Sequence, residues 1–89
     1  MKAVVTVVGR DTVGILAKVS ATCAAHNANI IDVTQSVMQE LFTMIMLIDI
    51  SDIDTDFSSL QNSLNSLGTE IGMKIHVMHE DIFNSMHHI

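Results

Sequence analysis

The stretch Val7–Val33, VVGRDTVGILAKVSATCAAHNANIIDV, decides the fold: strand end, polar glycine-bounded turn, amphipathic helix, then the opening of a second strand. Valine-rich Lys2–Val8 suits a strand, and Gly9 ends it where the chain must bend. Gly9-Arg10-Asp11-Thr12 supplies that bend. Asp11 or Thr12 can act as N-cap, because a short side-chain oxygen accepts from the free amides of a first helical turn. Gly14 then falls inside the first turn, where glycine costs about 1 kcal/mol relative to alanine. Two readings of it stay open. The missing Cβ either lets a ligand or another backbone approach the amides, or lets helix and strand pack tightly. A carboxylate at such a helix end gains about 0.3–1 kcal/mol when exposed, from unpaired N–H groups and the helix dipole.

The rest of the chain alternates between strand and helix periods without a linker. Leu16, Val19 and Cys23 mark the predicted buried stripe of the first helix, which ends near His26 and Asn27. Asn29–Met38 alternates as a half-covered strand, with Ile31, Val33 and Val37 on one face and Asp32, Thr34 and Ser36 on the other. After a turn at Gln39 and Glu40, residues 41–50 are apolar on both faces, as in a central strand. Asp52, Asp54, Thr55 and Asp56 supply the cap and early negative charge for a second helix with the stripe Phe57, Leu60, Leu64, Leu67 and Ile71, closed by Gly72. Met73–His79 is a last alternating strand. Glu80 and Asp81 open a short helix whose apolar side is Ile82, Phe83, Met86 and Ile89.

This order predicts an α+β fold: a ferredoxin-like βαββαβ sandwich in which a four-stranded antiparallel sheet carries two helices on one face, plus a short C-terminal helix. Residues 1–89 are read as one domain. The first and third strands are expected to be central, presenting Val4, Val8, Phe42, Met44, Met46 and Ile48 on their second faces. Asp32, Thr34, Ser36, Lys74 and His76 form the rim. An apolar centre with a polar rim predicts that two sheets meet through this surface, or that the terminal helix covers it.

Composition narrows the partners. A hydrophobic fraction of 48% in 89 residues predicts self-association, as a dimer or higher homo-oligomer. A formal charge of −6 disfavours nucleic acid and anionic membranes. With aromatics at 3%, the base-stacking side chains of an RNA-binding module are missing as well. No apolar run approaches a membrane span, and AVVTVV is too short for a secretory signal. A single cysteine precludes an internal disulfide, which fits a cytoplasmic protein.

Reactive residues read as background. Cys23 lies in a buried helical stripe as a structural thiol. His76 and His79, three apart on a strand, point to opposite faces. His87 and His88 have no carboxylate or cysteine to complete a metal set. The acidic cluster from Asp49 to Asp56 lacks the glycine and terminal glutamate of a calcium loop, and reads as a solvated helix start. No catalytic residues, metal or cofactor are assigned, since no nucleophile and base stand at credible spacing.

GRDTVGILAKVSATCAAHNANIIDV, residues 9–33, resembles the opening of an ACT domain, a small-molecule sensing module of amino-acid metabolism. The likeness covers nearly the whole chain. It is nearest to small single-domain ACT proteins of bacteria and archaea, and looser to the ACT halves of glycine-cleavage repressors. The resemblance implies a ligand between paired domains, held by the first strand-to-helix turn of one and the start of the second strand of another. The family's polar turn residue falls on Asp11, its glycine on Gly14, and the polar residue before the isoleucine on Asn29. Amides near Val13, Gly14 and Ile15 would take the carboxylate of an amino acid, Asp11 its ammonium, and Asn29 either group. Where the family often has proline before the glycine, this chain has Val13. The resemblance thus implies a non-catalytic regulatory module that binds a small amino acid and signals to an enzyme or regulator of amino-acid metabolism. The alternative is a ligand-free dimerisation or docking module.

Overall fold

The computed structural model describes residues 1–86. β1 spans Lys2–Arg10, two residues past Val8, because Gly9 and Arg10 pair with Phe42 and Leu41 and do not bend away. It is followed by α1 (Ile15–Ala25), β2 (Asn29–Met38), β3 (Leu41–Asp49), α2 (Phe57–Ile71), β4 (Met73–His79) and α3 (Glu80–Met86). The strands form one four-stranded sheet in the order β2-β3-β1-β4, every neighbouring pair antiparallel. This is the ferredoxin-like arrangement, with the first and third strands central. Val19 and Cys23 of α1 and Leu60 and Leu64 of α2 enter the same buried cluster as Val5, Val7, Met44 and Met46, so both long helices cover one face.

Three assignments of face are corrected. Phe42, Met44, Met46 and Ile48 turn toward the helices and are fully or almost fully buried, so Thr43, Ile45 and Leu47 occupy the open face in their place. Because β3 is apolar on both sides, its alternation carries no parity signal; pairing with Val5 and Val7 sets it instead. In β2 a bulge between Ile30 and Asp32 shifts the phase. Ile30 packs against the core and Ile31 is exposed. In α1 the inward apolar residue of the first turn is Ile15, while Leu16 is exposed.

The second helix follows its sequence closely. Asp56 caps it, Oδ1 accepting from Ser59 N at 3.0 Å, and Gly72 closes it at φ 74°. Inside it, Gly68 allows close approach: a Cβ there would lie 2.7 Å from the Met73 carbonyl oxygen. Gln61 Nε2 donates to Val77 O at 2.8 Å. Together these contacts set α2 on the outer margin of β4. On the opposite margin, Asp32 Oδ1 accepts from Val33 N at 2.9 Å. β2 is the end strand on that side, paired with β3 alone, so alternate residues direct their backbone groups off its free edge. α3 returns against β1 and β4. Val4, an open-face residue outside the main core cluster, is buried, but Ile82 and Met86 of α3 are exposed. His87, His88 and Ile89 lie outside the described residues.

Candidate ligand site

Gly14 decides the geometry of the first strand-to-helix turn. It stands at φ 86°, ψ 15°, left-handed, and is itself the N-cap of α1; no side chain caps this end. The expectations that Asp11 or Thr12 caps the helix and that Gly14 sits within its first turn are therefore corrected. The glycine is there because an L side chain is strained at this φ. Tight packing of helix on strand is not the cause, since a Cβ would meet only Lys18 Cε at 3.8 Å.

The first helical hydrogen bond runs from Lys18 N to Gly14 O at 3.0 Å. Consequently the amides of Ile15, Leu16 and Ala17 precede the ladder, at the positive end of the helix dipole. Asp11 is anchored through its backbone, N donating to Glu40 O at 2.8 Å, and its side chain is exposed. Thr12 is exposed too, and Val13 stands 95% exposed, unusual for valine at a turn. Arg10 and Glu40, 3.9 Å apart and both largely in solvent, rim the turn.

Asn29 does not join these residues within one chain. It opens β2 beyond the far end of the 11-residue α1, and a helix of that length spans about 16 Å. It lines a small hollow with Ala24, Asn27 and Ala28. Asp11–Ile15 and Asn29 are thus half-sites at opposite ends of α1.

A cluster that sequence spacing concealed lies between the helices. His26 Nε2 stands 2.9 Å from Ser63 Oγ, and His26 Nδ1 is 3.6 Å from Asp54 Oδ1, beside a groove lined also by Thr22, Asn62 and Glu70. Residues 26, 54 and 63 come together only through packing of α1 on α2. The order resembles a nucleophilic relay, yet Ser63 sits inside α2, where neighbouring amides are spent in the helical ladder and none converges on an oxyanion. The cluster is a polar tie. Asp54 N to His26 O at 3.2 Å and Asn27 Nδ2 to Asp52 O at 2.8 Å complete it.

The acidic loop has local duties too. Asp49 accepts from Ser51 N at 2.9 Å, and the Ser51 hydrogen bonds, backbone first, lower its pKa. Cys23 is a buried free thiol, and burial pushes it up to about 11. His79 stacks on Phe57 at 4.1 Å between centroids, while His76 is exposed on the other face. Among the described residues no group of three or more His, Cys, Asp or Glu could hold a metal, and no helix is long and apolar enough to cross a membrane.

A ferredoxin-like sheet under two helices, with an uncapped first helix behind its first strand, defines the class of this chain. A family model described as ACT domain matches residues 2–78, and the chain belongs to the ACT domain family. A UPF0237 protein of Methanococcus maripaludis is 56% identical over 86 residues, covering 97% of this chain and 96% of that protein. An ACT domain protein from Streptococcus pneumoniae superposes with a TM-score of 0.81 at 41% identity, over 93% of each chain. A proposed glycine cleavage system transcriptional repressor is similar over 86% of this chain and 44% of its own, with a TM-score of 0.76 and 26% identity.

Proposed function

We propose that this chain is a non-catalytic regulatory module that holds a small amino acid between two copies of itself. The observation that carries this reading is the bare start of α1. Gly14 turns the chain at φ 86° without a capping side chain, which leaves the amides of Ile15, Leu16 and Ala17 for a carboxylate. Asp11 is near enough in sequence and exposed enough to accept from the ammonium group.

Strand pairing supplies the second half-site. β1 and β2 run parallel to each other in the sheet, so Arg10 and Met38 share the end that also carries the turn. Antiparallel pairing of two β2 margins would bring Asn29 of one copy to that end of the other. Ligand occupancy then stabilises one assembly over another, as regulation requires. Family membership, and the likeness to a proposed glycine-cleavage repressor, support transmission to an enzyme or regulator of amino-acid metabolism.

Thermal-shift and calorimetric screening of free amino acids, with glycine and serine first, tests the reading. Asp11→Ala and Asn29→Ala should each abolish the ligand-induced shift while leaving the unliganded Tm almost unchanged. Retained binding in both variants refutes the site. The 95% exposure of Val13 beside the turn favours one second reading, a ligand-free docking module whose partner covers that valine. A folded sample that binds no amino acid selects it.

A further inference from the structure

The free margin of β4 has one open place. Ile50 N donates to Met1 O at 2.9 Å, so the odd-numbered residues of β1 bond toward β3 and the even-numbered ones, Thr6 and Val8 among them, toward β4. Thr6 pairs with His76 and Val8 with Lys74, which sends the backbone groups of Met73, Ile75 and Val77 off the outer side of β4. α2 meets two of these three. Gln61 Nε2 donates to Val77 O at 2.8 Å, and Gly68 lies close against Met73 O. Ile75 stands between them, 5% exposed, and among the described residues its outward N–H and C=O have no partner in the fold. Leaving such a buried pair unmade is costly. Both groups border a hollow of about 470 Å³, lined also by Asn65, Thr69, Gly72, Lys74 and His76, a volume in the range of ligand sites.

We propose that this slot takes one residue of an extended peptide from another protein, pairing its N–H and C=O with those of Ile75, and that the residues flanking it in the peptide are acidic. Alternation fixes the pattern. The residue opposite Ile75 turns its side chain, as Ile75 does, toward α2, where Asn65, Gly68 and Thr69 line the hollow, so it is small. Its two neighbours turn to the opposite face, level with Lys74 and His76, which are exposed and enter no ion pair among the described residues. Across the ladder Lys74 faces Val8 and His76 faces Thr6, so neither meets a carboxylate there. Carboxylates of the peptide supply the missing partners.

A regular strand does not fit. Strand addition uses every second residue of an edge, and α2 occupies the places on both sides of Ile75. The partner therefore presents an exposed loop or chain end that touches β4 once and leaves, with the order acidic, small, acidic.

Titration of acetyl-Glu-Gly-Glu-amide into the isotope-labelled full chain, followed by amide NMR, tests the proposal. The Ile75 amide should move most, with a Kd below about 1 mM. Replacing the central glycine of the peptide by sarcosine removes the donor to Ile75 O and should weaken binding at least about fivefold, with the protein untouched. Lys74→Glu, on an exposed side chain, should weaken it at least about threefold and favour acetyl-Lys-Gly-Lys-amide instead. An Ile75 amide that stays fixed up to about 10 mM peptide overturns the proposal. So does a sarcosine peptide that binds as well as its parent, since the contact is then surface charge alone. Unchanged affinity in Lys74→Glu, or equal binding of the lysine peptide by the wild-type chain, overturns the acidic pattern. If Lys74→Glu does not fold, the sarcosine comparison decides alone. Asp11 and Asn29 contribute nothing to the slot, so these outcomes are independent of the amino-acid site.

Discussion

Replacing Gly14 by alanine isolates backbone strain from every other effect at the turn. The φ of 86° places residue 14 where an L side chain crowds its own carbonyl, and that conformation costs about 1–2 kcal/mol relative to glycine. No steric penalty adds to it, because the new Cβ would find only Lys18 Cε at 3.8 Å, an ordinary contact. Gly14→Ala should therefore lose about 1–2 kcal/mol in urea unfolding, with the slope unchanged, and about 4–16 °C in Tm for a chain of this size. Gly14→Asn should lose less, since asparagine tolerates the left-handed region. Both variants keep the amides of Ile15, Leu16 and Ala17, so amino-acid binding should survive at any temperature where they are folded. Unchanged stability in Gly14→Ala would show that the turn is not held at positive φ. A loss above about 4 kcal/mol would point instead to a collision.

Gly68→Ala should behave differently: its Cβ would meet the Met73 carbonyl at 2.7 Å, and overpacking of about 1–3 kcal/mol outweighs the roughly 1 kcal/mol gained in helix propensity, as equilibrium unfolding can measure. Native Cys23 should resist a disulfide reagent at pH 8 and react once the chain is unfolded. Its thiol stands near 11 in the fold against 9.0 when free, so the stability it lends is whole below pH 9 and declines as pH rises from 9 to 11, a trend unfolding curves across that window would reveal. Asp49 and Asp56 have depressed pKa values, through hydrogen bonds from Ser51 and Ser59 respectively, so their contribution is present above the ordinary carboxylate range and is lost as pH falls through it. Asp56→Asn should keep the cap and flatten that acid-side slope; an unaltered slope would refute the assignment.

Element order was legible because hydrophobic period changes cleanly at Gly9, Asn29 and Met73, and because Asp56 and Gly72 mark the ends of α2 in side-chain chemistry. Parity was not legible where both faces are apolar. Leu41–Asp49 gives the same pattern whichever way it faces, and only its pairing with β1 turns Met44 and Met46 inward. The bulge after Ile30 leaves no mark in composition, so alternation alone sets Ile31 with Val33, where Ile30 takes the core-facing place. At the turn, a glycine's φ cannot be read from its neighbours, so the sequence points to the amides of Val13, Gly14 and Ile15 where the helix start leaves those of Ile15, Leu16 and Ala17 ahead of the ladder. Helix packing alone unites Asp54, His26 and Ser63, which no local spacing reveals.

The two margins of the sheet differ in a way that limits growth. Gln61 holds the Val77 carbonyl and Gly68 presses on Met73, whereas β2 is the end strand on the other side, with only β3 beside it in the sheet. A polymer built by strand addition needs two receptive sides on every copy, one to join and one to be joined. A copy with a single receptive side would form only closed pairs by that route, and a fibre would not propagate through it.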